Sequence, residues 1–161
     1  MWFDLVGGSI NQRPELFAAA ADLVPASDML RFETTPNGPP NVPEFGSVKT
    51  EEGFKGLYAM SAYHHVMDRA PYPAVLVTTG INDPRVDSWQ AAKMAARLQA
   101  ATSSGKPILL RIDYDAGHGM GSTKPQTEQL NADMQSFFLW QFGDPEFQPK
   151  ASAGTQPGTS H

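Results

Sequence analysis

Two apolar runs set the frame of this chain. Ala74-Val75-Leu76-Val77-Thr78 and Ile108-Leu109-Leu110-Arg111-Ile112 are continuous rather than alternating. Uninterrupted runs of this length suit strands buried on both faces of a parallel sheet, here over 74–79 and 108–113. The stretch between them reads as a helix over roughly 87–102. Trp89, Ala92, Ala96 and Gln99 form one stripe along it, and Met94 and Leu98 the next. Ser103-Ser104-Gly105-Lys106-Pro107 ends it, since glycine terminates helices and proline cannot continue one. A last helix is expected over about 124–142, closing with Phe137-Phe138-Leu139-Trp140-Gln141-Phe142-Gly143. Strand–helix–strand–helix at 74–142 is a right-handed βαβ unit of a parallel sheet.

The first half is less regular. The opening apolar stretch, Met1 to Val6, has no cap and reads as entry into the middle of a buried element. Residues 18–25 are alanine-rich; helix propensity and a short buried strand both fit them. Residues 26–34 predict a short helix capped by Ser27 or Asp28 ahead of Met29-Leu30-Arg31-Phe32. The prolines of 35–50 predict an irregular loop, suited to the wall of a binding site. A further helix is expected over 50–58, with Thr50 as cap and Gly53 as a weak point, followed by a turn through Tyr63-His64-His65. Residues 148–161 lack core formers and predict a disordered tail behind a domain at 1–147.

The chain has 161 residues, enough for one domain or a large piece of one. Twelve Lys and Arg against 17 Asp and Glu give a net charge of −5. That disfavours nucleic acid or an anionic membrane as a partner, because both select a basic patch. The chain has no cysteine. Disulfides, thiolate metal sites and a cysteine nucleophile are thereby excluded, while cytoplasm and periplasm both stay open. No apolar run approaches the roughly 18 residues of a membrane span.

The chemistry concentrates just past the two strands. Gly80-Ile81-Asn82-Asp83-Pro84-Arg85-Val86 follows the first, and Asp115-Ala116-Gly117-His118-Gly119 the second. In open parallel sheets, functional loops lie at the carboxyl ends of the strands. A histidine base needs a carboxylate on its other ring nitrogen to fix the tautomer and stabilise the imidazolium. Loops from neighbouring strands about 5 Å apart can supply that pair, with Asp83 as the acid and His118 as the base. Gly117 and Gly119 would let a tight turn present the ring. The order, acid before histidine, is that of α/β-hydrolases. Arg85 offers a planar fork of donors for a substrate carbonyl or carboxylate. His64 and His65 are adjacent and read as loop or packing residues, not metal ligands. No nucleophile elbow precedes Asp83. Gly7-Gly8-Ser9-Ile10-Asn11 comes nearest, but Asn11 stands where the strained turn needs glycine, which disfavours Ser9 as a nucleophile.

Several of these segments together resemble one family. Ile10-Asn11-Gln12-Arg13-Pro14-Glu15-Leu16-Phe17, Pro43-Glu44-Phe45-Gly46, Tyr72-Pro73-Ala74-Val75-Leu76, Asn82-Asp83-Pro84-Arg85-Val86 and Ala116-Gly117-His118-Gly119 resemble the C-terminal catalytic domain of the prolyl oligopeptidase family over about residues 5–145. The resemblance implies the C-terminal part of an α/β-hydrolase fold, a parallel sheet with flanking helices, in a serine peptidase of short peptides that needs no cofactor. It implies Asp83 as triad acid, His118 as triad base and Arg85 as the arginine holding a backbone carbonyl of the peptide. It also implies that residues 1–12 are the helix following the nucleophile elbow, so that the family serine falls just before or around Met1 and Ser9 lies within that helix. The proline-stacking tryptophan of the family would fall near Pro40 and Asn41, and no tryptophan is there. Such a piece would expose a sheet edge and apolar helix faces, and would be poorly stable alone or completed by self-association or by the missing N-terminal part.

Overall fold

A computed structural model of the protein describes residues 4–118 and 122–150. The elements run α1 (Leu5–Gln12), β1 (Ala19–Leu23), α2 (Met29–Phe32), α3 (Val42–Phe45), α4 (Glu51–Met60), β2 (Ala74–Gly80), α5 (Ser88–Ala101), β3 (Ile108–Asp113) and α6 (Lys124–Gln141). The strands form one parallel sheet in the order β1-β2-β3. Ala19 pairs with Ala74 and Leu23 with Thr78 across the first ladder. Val75 pairs with Ile108 and Gly80 with Asp113 across the second. This is the C-terminal α/β-hydrolase arrangement of sheet and flanking helices that the sequence predicted.

The alternation hidden in the continuous runs appears once the faces are separated. Val75 and Val77 join Ile10 of α1 and Met94, Ala95 and Leu98 of α5 in the larger core. Ala74 and Leu76 turn to the other face, against Phe137 of α6 with Met134, Phe138 and Trp140 around it. Every residue of β2 is therefore buried. The flanking strands have a neighbour on one side only among the described residues, and Leu23 and Leu109 remain substantially exposed. A satellite cluster of Ala26, Met29, Phe32, Leu57 and Val86 holds α2 and α4 beside the carboxyl ends of the strands.

Several sequence expectations change. The alanine-rich segment resolves as a strand, because pairing along β2 outweighs alanine's helix propensity. The buried stripe of α5 is Gln90, Ala91, Met94, Ala95, Leu98 and Ala101, whereas Ala96 and Gln99 face solvent. Gln90 can be buried because its amide exchanges hydrogen bonds with the backbone of Asp28. Residues 35–50 are not wholly irregular: a 3-10 turn at Pro39–Asn41 leads into α3. Asp28 stands at the N-cap of α2, but its carboxylate pairs with Lys93 and Arg31 instead. The first-turn N–H of Met29 is satisfied by Ser61 Oγ at 3.0 Å. Thr50 does cap α4, accepting from Gly53 N. Gly53 itself is a requirement rather than a weak point, because a β-carbon there would lie 2.2 Å from the Ser47 carbonyl oxygen. Gly119 and the tail from residue 151 lie outside the described residues.

Candidate active site

Register alone places the two functional loops together. Gly80 and Asp113 are paired at the ends of β2 and β3, and the chain leaves both strands at the same edge of the sheet. Three residues beyond Gly80 stands Asp83, and five beyond Asp113 stands His118. The loops are then stitched by backbone. Ile81 N donates to Asp113 O at 2.9 Å, and Asn82 N to Ala116 O at 3.2 Å. Asn82 Nδ2 adds a bond to Tyr114 O at 3.2 Å. On the histidine side, Asp113 Oδ1 accepts from Asp115 N and Ala116 N at 3.0 and 2.9 Å, an Asx turn that sets the path of the loop.

The Asp83 carboxylate is fully buried, and each oxygen has a separate task. Oδ1 accepts from Arg85 N at 2.8 Å and Val86 N at 2.9 Å. Oδ2 receives His118 Nδ1 at 2.7 Å. A carboxylate acceptor on Nδ1 places the proton there and leaves the lone pair on Nε2. The imidazole side chain is only 22% exposed, so it is held rather than free to rotate in solvent. A ring so oriented can take a proton at Nε2 while the charge that develops is balanced by Asp83.

Glycine matters here at a place the sequence reading missed. A β-carbon on Gly80 would lie 2.4 Å from both the Ala116 and Gly117 carbonyl oxygens. The histidine loop can therefore approach β2 only where residue 80 has no side chain. Gly117, expected together with Gly119 to permit a tight turn, has room: a β-carbon there would meet Asn82 O at 3.5 Å. Glycine at the end of a strand that leads to a functional loop was the available signal.

Arg85 is exposed on the same loop as Asp83. Its backbone carbonyl accepts from Asn37 Nδ2 at 3.1 Å, which ties the proline-rich loop to the site as a wall. Its guanidinium has no ion pair among the described residues, unlike Arg31, Arg97 and Arg111, which are paired. His64 and His65 lie in a 3-10 turn against the rings of Tyr58 and Tyr63. His64 Nδ1 is 2.7 Å from Ser61 Oγ, and His65 Nε2 is 2.9 Å from Tyr58 O. Ser9 lies on α1 with its hydroxyl donated back to Leu5 O at 2.8 Å. Nothing in its contacts joins it to His118.

Two further carboxylates stand near His118 that sequence reasoning did not connect. Asp4, at the N-cap of α1, accepts from Gly7 N. Asp22, on β1, is buried beside it. Burial raises the Asp4 carboxyl to about 6, opposed by the Gly7 N–H and by its contact with Asp22. Burial, then the neighbouring Asp4 charge, raises Asp22 well above the usual carboxylate range. The two acids can thus share one proton.

With this geometry in place, comparison with known proteins identifies the family. The prolyl oligopeptidase family profile matches residues 5–145. The chain belongs to the prolyl oligopeptidase family. It is 36% identical over 140 residues to the prolyl endopeptidase of Elizabethkingia meningoseptica, covering 86% of this chain and 20% of that protein. It is 30% identical over 142 residues to dipeptidyl aminopeptidase BI of Pseudoxanthomonas mexicana, with 86% and 20% covered. Among solved structures, a prolyl endopeptidase superposes with a TM-score of 0.79 at 38% identity over 85% of this chain and 20% of the other. Oligopeptidase B from Leishmania major gives 0.77 at 28% identity, with 85% and 19% covered. The chain therefore spans about a fifth of the length of the relatives it matches.

Proposed function

We propose that this chain is the acid–base segment of a serine-type peptidase that hydrolyses peptide bonds in short peptides. His118 is the general base, taking the proton of a serine hydroxyl at Nε2 and returning it to the leaving amine. Asp83 holds the ring in the productive tautomer and stabilises the imidazolium. Arg85, whose guanidinium has no ion pair among the described residues, donates to a backbone carbonyl of the bound peptide. The serine comes from residues outside this chain, since no elbow sequence occurs within it. The observation that carries the reading is the 2.7 Å bond from His118 Nδ1 to a buried Asp83 whose other oxygen is fixed by two backbone N–H groups. Support from relatives is consistent with it: the prolyl oligopeptidase B of Galerina marginata has been solved with 25- and 35-residue substrates, in forms where a serine, an aspartate or a histidine is replaced by alanine.

The chain alone is then nearly inactive, because triad members act as a unit. Exposed Leu5, Leu16 and Leu23 around α1 and β1 favour completion by a further segment or by a second copy. The test is labelling with a fluorophosphonate probe read by peptide mass spectrometry, on this chain and on a chain extended upstream through a nucleophile elbow. Labelling confined to the extended form supports the proposal. Labelling of this chain at Ser9 would replace it with an esterase that uses its own nucleophile.

A further inference from the structure

The backbone of Arg85 is held from two sides. Its N–H donates to Asp83 Oδ1 at 2.8 Å, and the next N–H, of Val86, joins the same oxygen at 2.9 Å. Its carbonyl oxygen accepts from Asn37 Nδ2 at 3.1 Å. Residues 37 and 85 are 48 positions apart, so this bond is tertiary and not part of a local turn. Asn37 is itself braced. Its own carbonyl accepts from Asn41 Nδ2 at 2.6 Å, and Gly38 N donates to Thr35 O at 3.0 Å. The turn is tightly packed, since a β-carbon on Gly38 would lie 2.1 Å from Phe32 O. Asn37 therefore reaches Arg85 from a fixed base, with the exposed Pro39 and Pro40 directly after it.

We propose that Asn37 is a positioning residue for Arg85: its side-chain amide fixes the spacing between the arginine and the proline-rich wall, the two sides of the groove that takes the peptide backbone. An amide suits this task chemically. The Arg85 carbonyl needs a donor, and asparagine supplies one without charge. A lysine or arginine at 37 would repel the guanidinium. An aspartate would set acceptor against acceptor and bring a carboxylate beside a guanidinium that has no ion pair among the described residues. Asn37 thus holds the backbone of Arg85 while leaving its side chain to the substrate. Loss of the amide spares the proton transfer, because Asp83 keeps both backbone N–H groups and the 2.7 Å bond to His118 Nδ1 without it. A carbonyl contact made in ground and transition states alike then weakens, which raises KM and leaves kcat in place. The inference rests on the peptidase reading for the role of Arg85; the tether between the two loops does not.

The experiment has two arms. On the 161-residue chain, ¹⁵N relaxation gives order parameters for the amides of Gly38 and Asn41. These should fall from the roughly 0.85 of rigid backbone to below about 0.7 in Asn37→Ala and in the nearly isosteric Asn37→Asp, while the His118 ring shifts stay as in the parent. Unchanged order parameters in both variants would overturn the tether, and the proposal with it. The second arm is a double-mutant cycle in a hydrolysing chain, with residues 5–145 set in place of the aligned segment of the Elizabethkingia meningoseptica prolyl endopeptidase. Asn37→Ala should raise KM about three- to tenfold, the range one neutral hydrogen bond supplies, with kcat held within about twofold. Arg85→Ala should raise KM at least about tenfold, as loss of a charged donor does. Added to Arg85→Ala, the Asn37 substitution should cost less than about twofold more, because it acts through the residue already removed. A merely structural asparagine would add its full cost whatever stands at 85, and that additivity, or a fall in kcat at unchanged KM, would overturn the proposal. A parent chimera that hydrolyses nothing would count against the peptidase reading itself, while the order parameters would still decide the tether.

Discussion

Replacing Gly80 by alanine introduces a methyl group where two backbone carbonyls already stand. The β-carbon would lie 2.4 Å from Ala116 O and Gly117 O, and real β-carbons essentially never come under 3.0 Å. The loop must therefore retreat by at least about 0.6 Å, the difference of those two distances. Backbone cannot rotate aside as a side chain would, so the strain is not cheaply relieved. Overpacking of this kind costs about 1–3 kcal/mol. The retreat also acts on the site. His118 follows Gly117 directly and bonds Asp83 at 2.7 Å, so the same movement carries that bond toward or past the roughly 3.2 Å limit of a good hydrogen bond. Denaturant unfolding measures the first effect. The ¹⁵N shifts of the His118 ring, which report the Nδ1–H tautomer, measure the second. Gly117→Ala is the control, since its β-carbon would make an ordinary 3.5 Å contact. It should be neutral or stabilise by a few tenths of a kcal/mol to about 1 kcal/mol through the unfolded chain. If Gly80→Ala leaves both the unfolding midpoint and the His118 tautomer unchanged, the account of how the two loops are held together is wrong.

Other outcomes follow from the same geometry. Asp4 is raised from 3.8 to about 6, so the folded state binds more protons than the unfolded one between those values. Stability from this group is therefore greatest at the acid end and falls as pH rises through 6, by about 3 kcal/mol for a shift of roughly two units. Asp4→Asn, which keeps an acceptor for Gly7 N, should flatten that slope in pH-dependent thermal unfolding; a contribution that falls from pH 4 to 7 as steeply in the variant as in the parent would contradict it. Leu98 is fully buried between α5 and the sheet, and Leu98→Ala should lower stability by about 2–5 kcal/mol in denaturant unfolding. A cost below about 1 kcal/mol would place Leu98 outside the core.

The parts legible in the sequence were those fixed by local rules. Strands β2 and β3 announced themselves as apolar runs between proline or glycine stops. That Asp83 and His118 would meet was legible because each stood on a loop just past such a run. The Thr50 cap was readable because a threonine three residues before an unpaired N–H has one obvious use. What the sequence did not show depended on packing between distant elements. Residues 18–25 carry helix propensity in their alanines and become a strand only because β2 is there to pair with. In α5 the alanines allowed two stripes, and the choice fell to the side on which Gln90 could reach the backbone of Asp28. Gly53 and Gly80 look like ordinary glycines until Ser47 and Ala116 are brought against them. Asp4 and Asp22 meet only because α1 packs across β1, and nothing in their spacing signals a pair.

The most direct test of the central claim is a segment exchange. Residues 5–145 of this chain would replace the aligned segment of the Elizabethkingia meningoseptica prolyl endopeptidase, and peptide hydrolysis would be followed in the chimera and in its Asp83→Asn and His118→Ala forms. If Asp83 and His118 are the acid and the base, the chimera hydrolyses peptide, and kcat falls by about 10⁴-fold in Asp83→Asn and about 10⁶-fold in His118→Ala while the protein remains folded. Hydrolysis that survives both substitutions would contradict the account.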